Sequence, residues 1–401
     1  MEYILFFLLL LTFFYSLNNV TRSHSYFFPF FLSFIYVYTF IGSQLFDFAK
    51  KIPFSEQLVT NTDLLESGLA YFLASIFFIC GIFFSKKKFV YGKYSIKNNF
   101  NQKVQFDLNI NSAFSFLFAS FVLIFSFFTF ELDKILYRDT YAFEINEVML
   151  NIHRLLFLIG VFLCAFIDNR FLKYVLLILI IIFPFSMNSR LLILGILLFF
   201  SGLYFKNKFL TISDKLLFIG MIVISIISTL GLRSMEFQGL IPNLINLFKF
   251  NFNSEDILSS VNYVTSYSVF AAQYTIDNDI GDFRSFTISI NPMFGRFLDT
   301  EYMINNTKIN MFSPAPAIPL LYNQGLFIML LYYIFCGFVF NKILVFFRYN
   351  SFYSVFFGLF LLFTFLNTQY LLRESVRLLY YSIFFAFLLI LLKKILVKKV
   401  A

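Results

Sequence analysis

The chain has no tryptophan, two histidines and three cysteines in 401 residues, and only 13% of its residues are charged. Each scarcity removes a class of chemistry. Cys80, Cys164 and Cys336 all lie inside apolar runs, which indicates neither a disulfide framework nor a thiolate metal site and leaves them as packing or lipid-facing residues. His24 and His153 do not form a metal-binding pair, and neither a phosphate-cradling Gly-rich loop with Lys nor a Gly-x-Ser-x-Gly elbow occurs. No metal and no cofactor is therefore expected.

What is abundant is hydrocarbon. Hydrophobic residues make up 60% of the chain and the mean hydropathy is +0.80, which is a membrane composition. The 66 phenylalanines accompany many Ile, Asn and Lys; a codon bias toward A and T accounts for them without a functional aromatic surface. A helix crossing the hydrocarbon core, about 30 Å thick, needs about 20 apolar residues, or somewhat fewer with snorkelling ends. Eleven stretches qualify: 2–17, 26–46, 68–84, 112–130, 148–167, 172–187, 190–205, 214–232, 318–340, 351–369 and 378–396. The expected fold class is an all-α polytopic membrane protein of about 11 transmembrane helices (range 10–12). It forms a single transmembrane domain over 1–401, with one large periplasmic loop, 233–317, containing short helices between spans 8 and 9. The first run opens on Met1-Glu2-Tyr3 without a basic segment or a small-residue cleavage site, so it reads as a retained span. No internal repeat is visible, and no soluble domain is expected before or after the bundle.

Charge gives the orientation. The loop 85–111 carries Lys86, Lys87, Lys88, Lys93, Lys97 and Lys103 against Asp107, so it belongs in the cytoplasm. Alternation then places Arg22, Arg170, Lys173, Lys206, Lys208, Lys215, Lys342, Arg348 and the tail lysines 393, 394, 398 and 399 inside as well. The N-terminus is periplasmic and the C-terminus cytoplasmic. The net charge of +9 is thus a topology signal, and no nucleic-acid partner is needed to explain it. The arginines break the pattern: Arg138, Arg154, Arg190, Arg233, Arg284, Arg296, Arg373 and Arg377 fall outside or at outer helix ends. Lysine suffices for retention inside, whereas arginine offers a planar fork for phosphate or carboxylate. The outer face looks built to hold an anion.

In "PFSMNSRLLILG" (184–195), Arg190 stands at a helix start, where the partial positive charge of the N-terminus already opposes it. A bound anion would satisfy both, and the alternative is an interfacial anchor. Arg154 lies about six residues into span 5 and faces either a polar cavity or, by snorkelling beside His153, the outer interface. Arg373 and Arg377 share a helix face if their connection is helical, with Glu374 placed to pair with one of them. In the long loop, 253–276 reads as a helix with Ile257, Val261, Val264, Tyr267, Phe270 and Tyr274 as one apolar stripe. It is either an interfacial helix flanking the path of a lipid-linked substrate or a helix packed on the bundle. A polar turn (Asp277, Asp279, Gly281, Asp282, Arg284) follows it, then Arg296, Asp299 and Glu301, and "SPAPAIPL" (313–320) forms a rigid lead into span 9. Spans 2–4 and 6–11 have no acid near the bilayer centre, which argues against an ion-coupled transporter.

Taken together, this pattern resembles the O-antigen polymerases, the Wzy family of oligosaccharide repeat-unit polymerases, over essentially the whole chain. The local likenesses are "MNSRLLILGILLFFSGLY", "LGLRSMEF" and "SPAPAIPLLYNQGLFIMLLYYIFCGFVF", similar to that family's Ser-Arg hairpin, its loop-opening arginine and its loop exit. The resemblance implies a GT-C-like glycosyltransferase of the bacterial inner membrane, metal-independent, with its site facing the periplasm. It would move a growing glycan from one undecaprenyl diphosphate to the non-reducing end of a newly flipped lipid-linked repeat unit. Donor and acceptor, membrane lipid and a chain-length regulator are the partners implied. Arg190 and Arg233 match the family's positions and would stabilise the leaving diphosphate, and Arg296 matches an arginine within the outer loop. Arg154, Arg284, Arg373 and Arg377 join Arg296 as candidates for binding diphosphate or glycan. A carboxylate must take the acceptor hydroxyl's proton; by location Glu301 and Asp299 are the catalytic candidates, with Asp282 and Glu144 behind them. Two alternatives stand beside this one. An O-antigen ligase would carry an outer-loop histidine, absent from 233–317. A lipid-linked oligosaccharide flippase would lack the long outer loop and line a central cavity with cations.

Overall fold

The computed structural model describes every residue except 47–62, 87–110, 140–145, 190, 208–210, 233–236, 252–253, 294, 311–312, 349–351 and 399–401. Most of the lysine-rich loop 85–111, together with Glu144, Arg190 and Arg233, lies outside the described residues. The described chain is helical. In order the helices are α1 (Glu2–Val20), α2 (Phe27–Phe46), α3 (Leu65–Lys86), α4 (Ser112–Thr129), α5 (Leu132–Leu136), α6 (Glu147–Cys164), α7 (Arg170–Ser186), α8 (Leu191–Asn207) and α9 (Ile212–Ile226). There follow α10 (Leu240–Phe248), α11 (Ser254–Asp277), α12 (Phe283–Ile290), α13 (Thr300–Asn306), α14 (Ala317–Asn323), α15 (Leu326–Phe346), α16 (Tyr353–Gln369) and α17 (Leu372–Lys398).

Among the described residues, seven helices are long and apolar enough to cross a membrane: Glu2–Val20, His24–Phe46, Leu65–Lys86, Ser112–Thr129, Ile212–Thr229, Leu326–Phe346 and Leu372–Leu391. Shorter apolar helices cover Val148–Cys164, Leu191–Tyr204 and Val355–Gln369. The protein is a polytopic membrane protein. Small polar residues start the helices: the side chains of Asn111, Asn146 and Asn169 each accept from a backbone N–H of the first turn, and Thr211 with Asp214 forms a capping box.

Span 6, expected over 172–187, is the helix Arg170–Ser186 with Pro184 inside its last turns. Two boundaries depart from expectation. Span 9 was expected from 318, but the chain makes a short helix to Asn323 and restarts at Leu326, because Gly325 adopts φ +101, a conformation that glycine alone takes readily. The residues 370–377, expected as a connection, are mostly the first turns of α17, so Arg373 and Arg377 are helical.

The chain groups into two compact units, one made of residues 1–106 with 261–401, the other of 107–260. In the first unit, α15 packs on α3 at backbone distance. A side chain added at Gly81 would press into the carbonyl oxygen of Ile334, and one added at Gly337 into that of Phe78. Small residues permit such approach where lipid supplies no hydrophobic drive between helices. Aromatic rings fill the rest: Phe28 stacks on Phe78 at 4.4 Å, and Phe340 packs on Phe363 at 4.7 Å. Asn341, buried among them, accepts from Ser23 at 2.8 Å and Ser25 at 2.9 Å and donates to Ser85. The second unit packs α6 on α4 and α8 around Val122, Phe157, Val161 and Phe199.

Gly337→Val is expected to lower the thermal stability of the detergent-solubilised protein by about 3 kcal/mol, since backbone cannot yield as a side chain can. Gly358→Ala, where an added Cβ meets nothing within 4 Å, should stay within about 0.5 kcal/mol; circular-dichroism melting of both variants checks the pair.

Candidate functional site

The candidate residues fall in both units: Arg154, Arg190 and Arg233 in 107–260, and Arg284, Arg296, Asp299, Glu301, Arg373 and Arg377 in 261–401. Each set is described by itself.

In the second unit the turn after α7 is organised by Asn188. It holds φ +47, a left-handed value that asparagine tolerates at a helix C-terminus. Its carboxamide is fully used. Oδ1 accepts from Ser228 at 2.9 Å and from Asn243 at 3.0 Å, while Nδ2 donates to Gln238 and to the carbonyl of Leu232 at 3.4 Å. Gln238 donates to the same Leu232 carbonyl at 3.1 Å, and Asn243 donates to that of Phe185 at 2.9 Å. Arg138 and Gln238 exchange two backbone bonds of 2.8 Å, and Arg138 Nη2 donates to the Ser186 carbonyl at 2.9 Å. All five side chains are buried. Ser228 reaches this node from a π turn, Ile227–Gly231, that extends α9; such wide turns recur at functional sites.

Arg190 and Arg233 lie outside the described residues. Asn188, two positions before the first, is nonetheless hydrogen-bonded to Leu232, immediately before the second. One network therefore anchors the chain leading into both.

Arg154 is exposed and faces away from the packed interior of its unit, in company with Leu155. Its neighbour His153 turns the other way: it is buried, with Nε2 2.9 Å from the Ser126 hydroxyl and its ring edge-on to Phe130 at 4.7 Å.

In the first unit Arg373 is only 3% exposed. Its Nη1 donates to the carbonyls of Ile288 at 2.6 Å and Asn291 at 3.3 Å, and Nη2 to that of Met293 at 2.8 Å. Tyr380 donates to Ile290 beside it. These carbonyls end α12, where cationic donors complement the negative dipole end. The fork expected to bind diphosphate is thus occupied by backbone, and Arg373 positions the loop. Arg377 is half-exposed and pairs with Glu374 at 3.1 Å, as the shared helix face implied. Arg296 is exposed, its guanidinium 4.6 Å from the Phe297 ring.

Two of the candidate carboxylates are already engaged. Asp282 caps α12 through Ser285 N–H at 2.8 Å and accepts the Tyr302 hydroxyl, and that bond holds its carboxyl below the usual range while pushing the phenol up. Asp299 caps α13 and pairs with Arg284 at 2.9 Å, while Arg284 lies 4.1 Å from the Tyr302 ring. Both partners of that pair are more than a third exposed, so it contributes roughly 0–1 kcal/mol. Glu301 is exposed, and no hydrogen bond or ion pair engages it among the described residues. Of the carboxylates expected in this segment it is the one left to meet a ligand.

From sequence, Arg138 stood among the outer arginines without a role of its own, and the amides of Asn188, Gln238 and Asn243 and the phenol of Tyr302 carried no signal. Compared with known proteins, the chain matches no family model, no curated protein and no solved structure.

Arg373→Lys replaces a fork with a single ammonium that cannot span three carbonyls. Amide exchange in the last turn of α12 is expected to quicken roughly ten- to a hundredfold, the loss of one or two hydrogen bonds to a charged group, measured by mass spectrometry. Unchanged protection would make the three contacts energetically idle.

Proposed function

We propose that the protein is an inner-membrane glycosyltransferase that polymerises undecaprenyl-diphosphate-linked repeat units into a surface polysaccharide on the periplasmic side, an O-antigen polymerase in type. In this reading the helices form about 11 spans, and 233–317 is the periplasmic loop. The observation that carries it is the bond from Asn188 to the Leu232 carbonyl, which ties together the two segments leading into Arg190 and Arg233. The leaving group is a lipid diphosphate, and charge accumulates on its bridging oxygen as the glycosidic carbon departs. Guanidinium forks held by a preorganised scaffold offset that charge, usually the largest single term in such catalysis. Arg190 and Arg233 take this role, with Arg154 of the same unit as a further contact to diphosphate or glycan; in the other unit Arg284, Arg296 and Arg377 are the cations assigned to bind glycan or diphosphate. Glu301 is assigned as the general base that takes the proton of the acceptor hydroxyl, since Asp282 and Asp299 are spent on caps and partners.

Arg190→Ala and Arg233→Ala should each lower polymer formation by about 10²–10³ while the protein still inserts at normal levels. Lysine should rescue poorly, because it cannot supply two parallel donors. Surface polysaccharide on a gel, with membrane immunoblots for the protein, reads both. A ladder collapsed to core plus one repeat supports polymerisation; total loss of O-antigen from the core indicates a ligase, and inner-leaflet accumulation of lipid-linked units a flippase. Full-length glycan from either alanine variant removes that arginine from the mechanism.

A further inference from the structure

The second unit contains a cleft of about 380 Å³ lined by Tyr137, Phe237, Ile241, Pro242, Ile245, Asn246 and Asn251, within the range of about 300–1,000 Å³ usual for small-molecule sites. Its wall follows from the backbone. The reciprocal bond pair of the antiparallel bridge between Arg138 and Gln238 sets Tyr137 against Gly239, and the Tyr137 ring meets that of Phe237 diagonally, 5.5 Å away at 30°. The floor is one flank of α10.

Three observations define the ligand. Among the described residues no charged side chain lines the cleft, which suits a neutral segment better than a phosphate. Ile241 and Ile245, on its floor, also belong to an exposed apolar stripe with Leu244 and Phe248, while Pro242 and Asn243 turn inward. The cleft therefore opens onto the side of an amphipathic helix suited to the membrane interface, and a hydrocarbon chain reaches it laterally. Finally, Tyr137 and Phe237 adjoin Arg138 and Gln238 of the polar node, whose bonds run to Leu232 and Asn188, so a chain seated here has its head group at the level of that node.

We propose that this cleft seats the first isoprenyl units of a polyprenyl diphosphate carrier. The inference rests on the functional reading above and adds to it the place of the lipid chain. The fit is chemical: aromatic faces and branched aliphatic side chains suit a branched, unsaturated chain, and the carboxamides of Asn246 and Asn251, bonded to each other at 3.3 Å, close one end.

The absence of tryptophan makes the test direct, because Phe237→Trp places a single indole in the wall. The full-length variant, in phosphatidylcholine nanodiscs, is titrated with geranylgeranyl diphosphate, with inorganic pyrophosphate as the control that has the head group without the chain, and Tyr137→Trp serves as a second reporter should the first be poorly folded. The expected result is a saturable blue shift with geranylgeranyl diphosphate alone, weakened about tenfold by Ile245→Gln but not by Leu244→Gln, and protection of the indole from brominated phosphatidylcholine when the ligand is bound. An equal response to pyrophosphate, no response in either reporter, or bromolipid quenching that the ligand does not relieve overturns the proposal, the last assigning the cleft to bulk lipid. A shift with free repeat-unit oligosaccharide in place of the isoprenoid assigns it to glycan and overturns the proposal equally. If the seat binds while arginine variants still make full-length glycan, the glycosyl-transfer reading falls alone; if those variants lose polymer and the indole ignores the isoprenoid, the seat falls alone.

Discussion

A backbone carbonyl that ends a helix inside a membrane protein has no water to turn to, and this chain answers that constraint repeatedly with long polar side chains. Asn188 and Gln238 both meet the Leu232 carbonyl. Arg138 meets Ser186, Asn243 meets Phe185, and Arg373 meets three carbonyls at the end of α12. Asn323 donates to Thr275 and Ile280 at 3.1 Å, and Gln324 to Gly281 at 2.8 Å. A buried group left unsatisfied costs about 1–3 kcal/mol, so each of these contacts fixes where one helix may stop and another begin. The short helices between α9 and α15 owe their placement to them.

The same constraint divides the arginines by role. A guanidinium that lies against carbonyls, as those of Arg138 and Arg373 do, stabilises a turn, and its positive charge matches the negative dipole end of the helix it closes. Substitution there acts through positioning. Arg284 and Arg377 instead face carboxylates at exposed sites, where competition with an incoming anion costs little. Outer location alone, the criterion the sequence offers, does not separate the two groups; the number of carbonyls within reach does.

How much of this was legible in the sequence follows from the range of each interaction. Apolar runs became helices at every expected place, since hydropathy and helix length are local properties, and the caps at Asn111, Asn146 and Thr211 are local too. The break at Gly325 was written in "YNQG", yet a hydropathy window counts hydrocarbon and is blind to a single positive φ, so the run from 318 looked continuous. The polar node was not legible. Its members stand 40 to 55 residues from Asn188, and a lone asparagine in a turn carries no mark of the partners it will find. Arg373 shows the limit from the other side: its spacing to Arg377 correctly implied a shared helix face, but the carbonyls it serves lie 80 to 85 residues away.

The long loop makes the distinction between a stripe and its environment concrete. The periodicity over 253–276 marked one face of α11 as apolar and left its cover open. Tyr267 and Phe270 are indeed buried, with the small residues Ser268, Ala271 and Thr275 along the same face, and so are Ala272 at its edge and Ser266 on the opposite side. Small residues let neighbouring helices close in, and the hydroxyls of Ser268 and Thr275 return to carbonyls of their own helix at 2.8 and 2.6 Å. That end of α11 is a core helix, and the reading of it as merely packed is the one its surroundings favour. The helix with an unpartnered apolar side is α10, too short for its stripe to stand out from the spans around it. Its inward side carries buried Pro242 and Asn243 with Leu240 and Leu247 packed on the core, and its outward face is left to Ile241, Leu244, Ile245 and Phe248. An amphipathic pattern fixes which residues avoid water; whether protein or lipid receives them depends on the residues opposite, and there the small side chains of α11 let neighbouring helices close in.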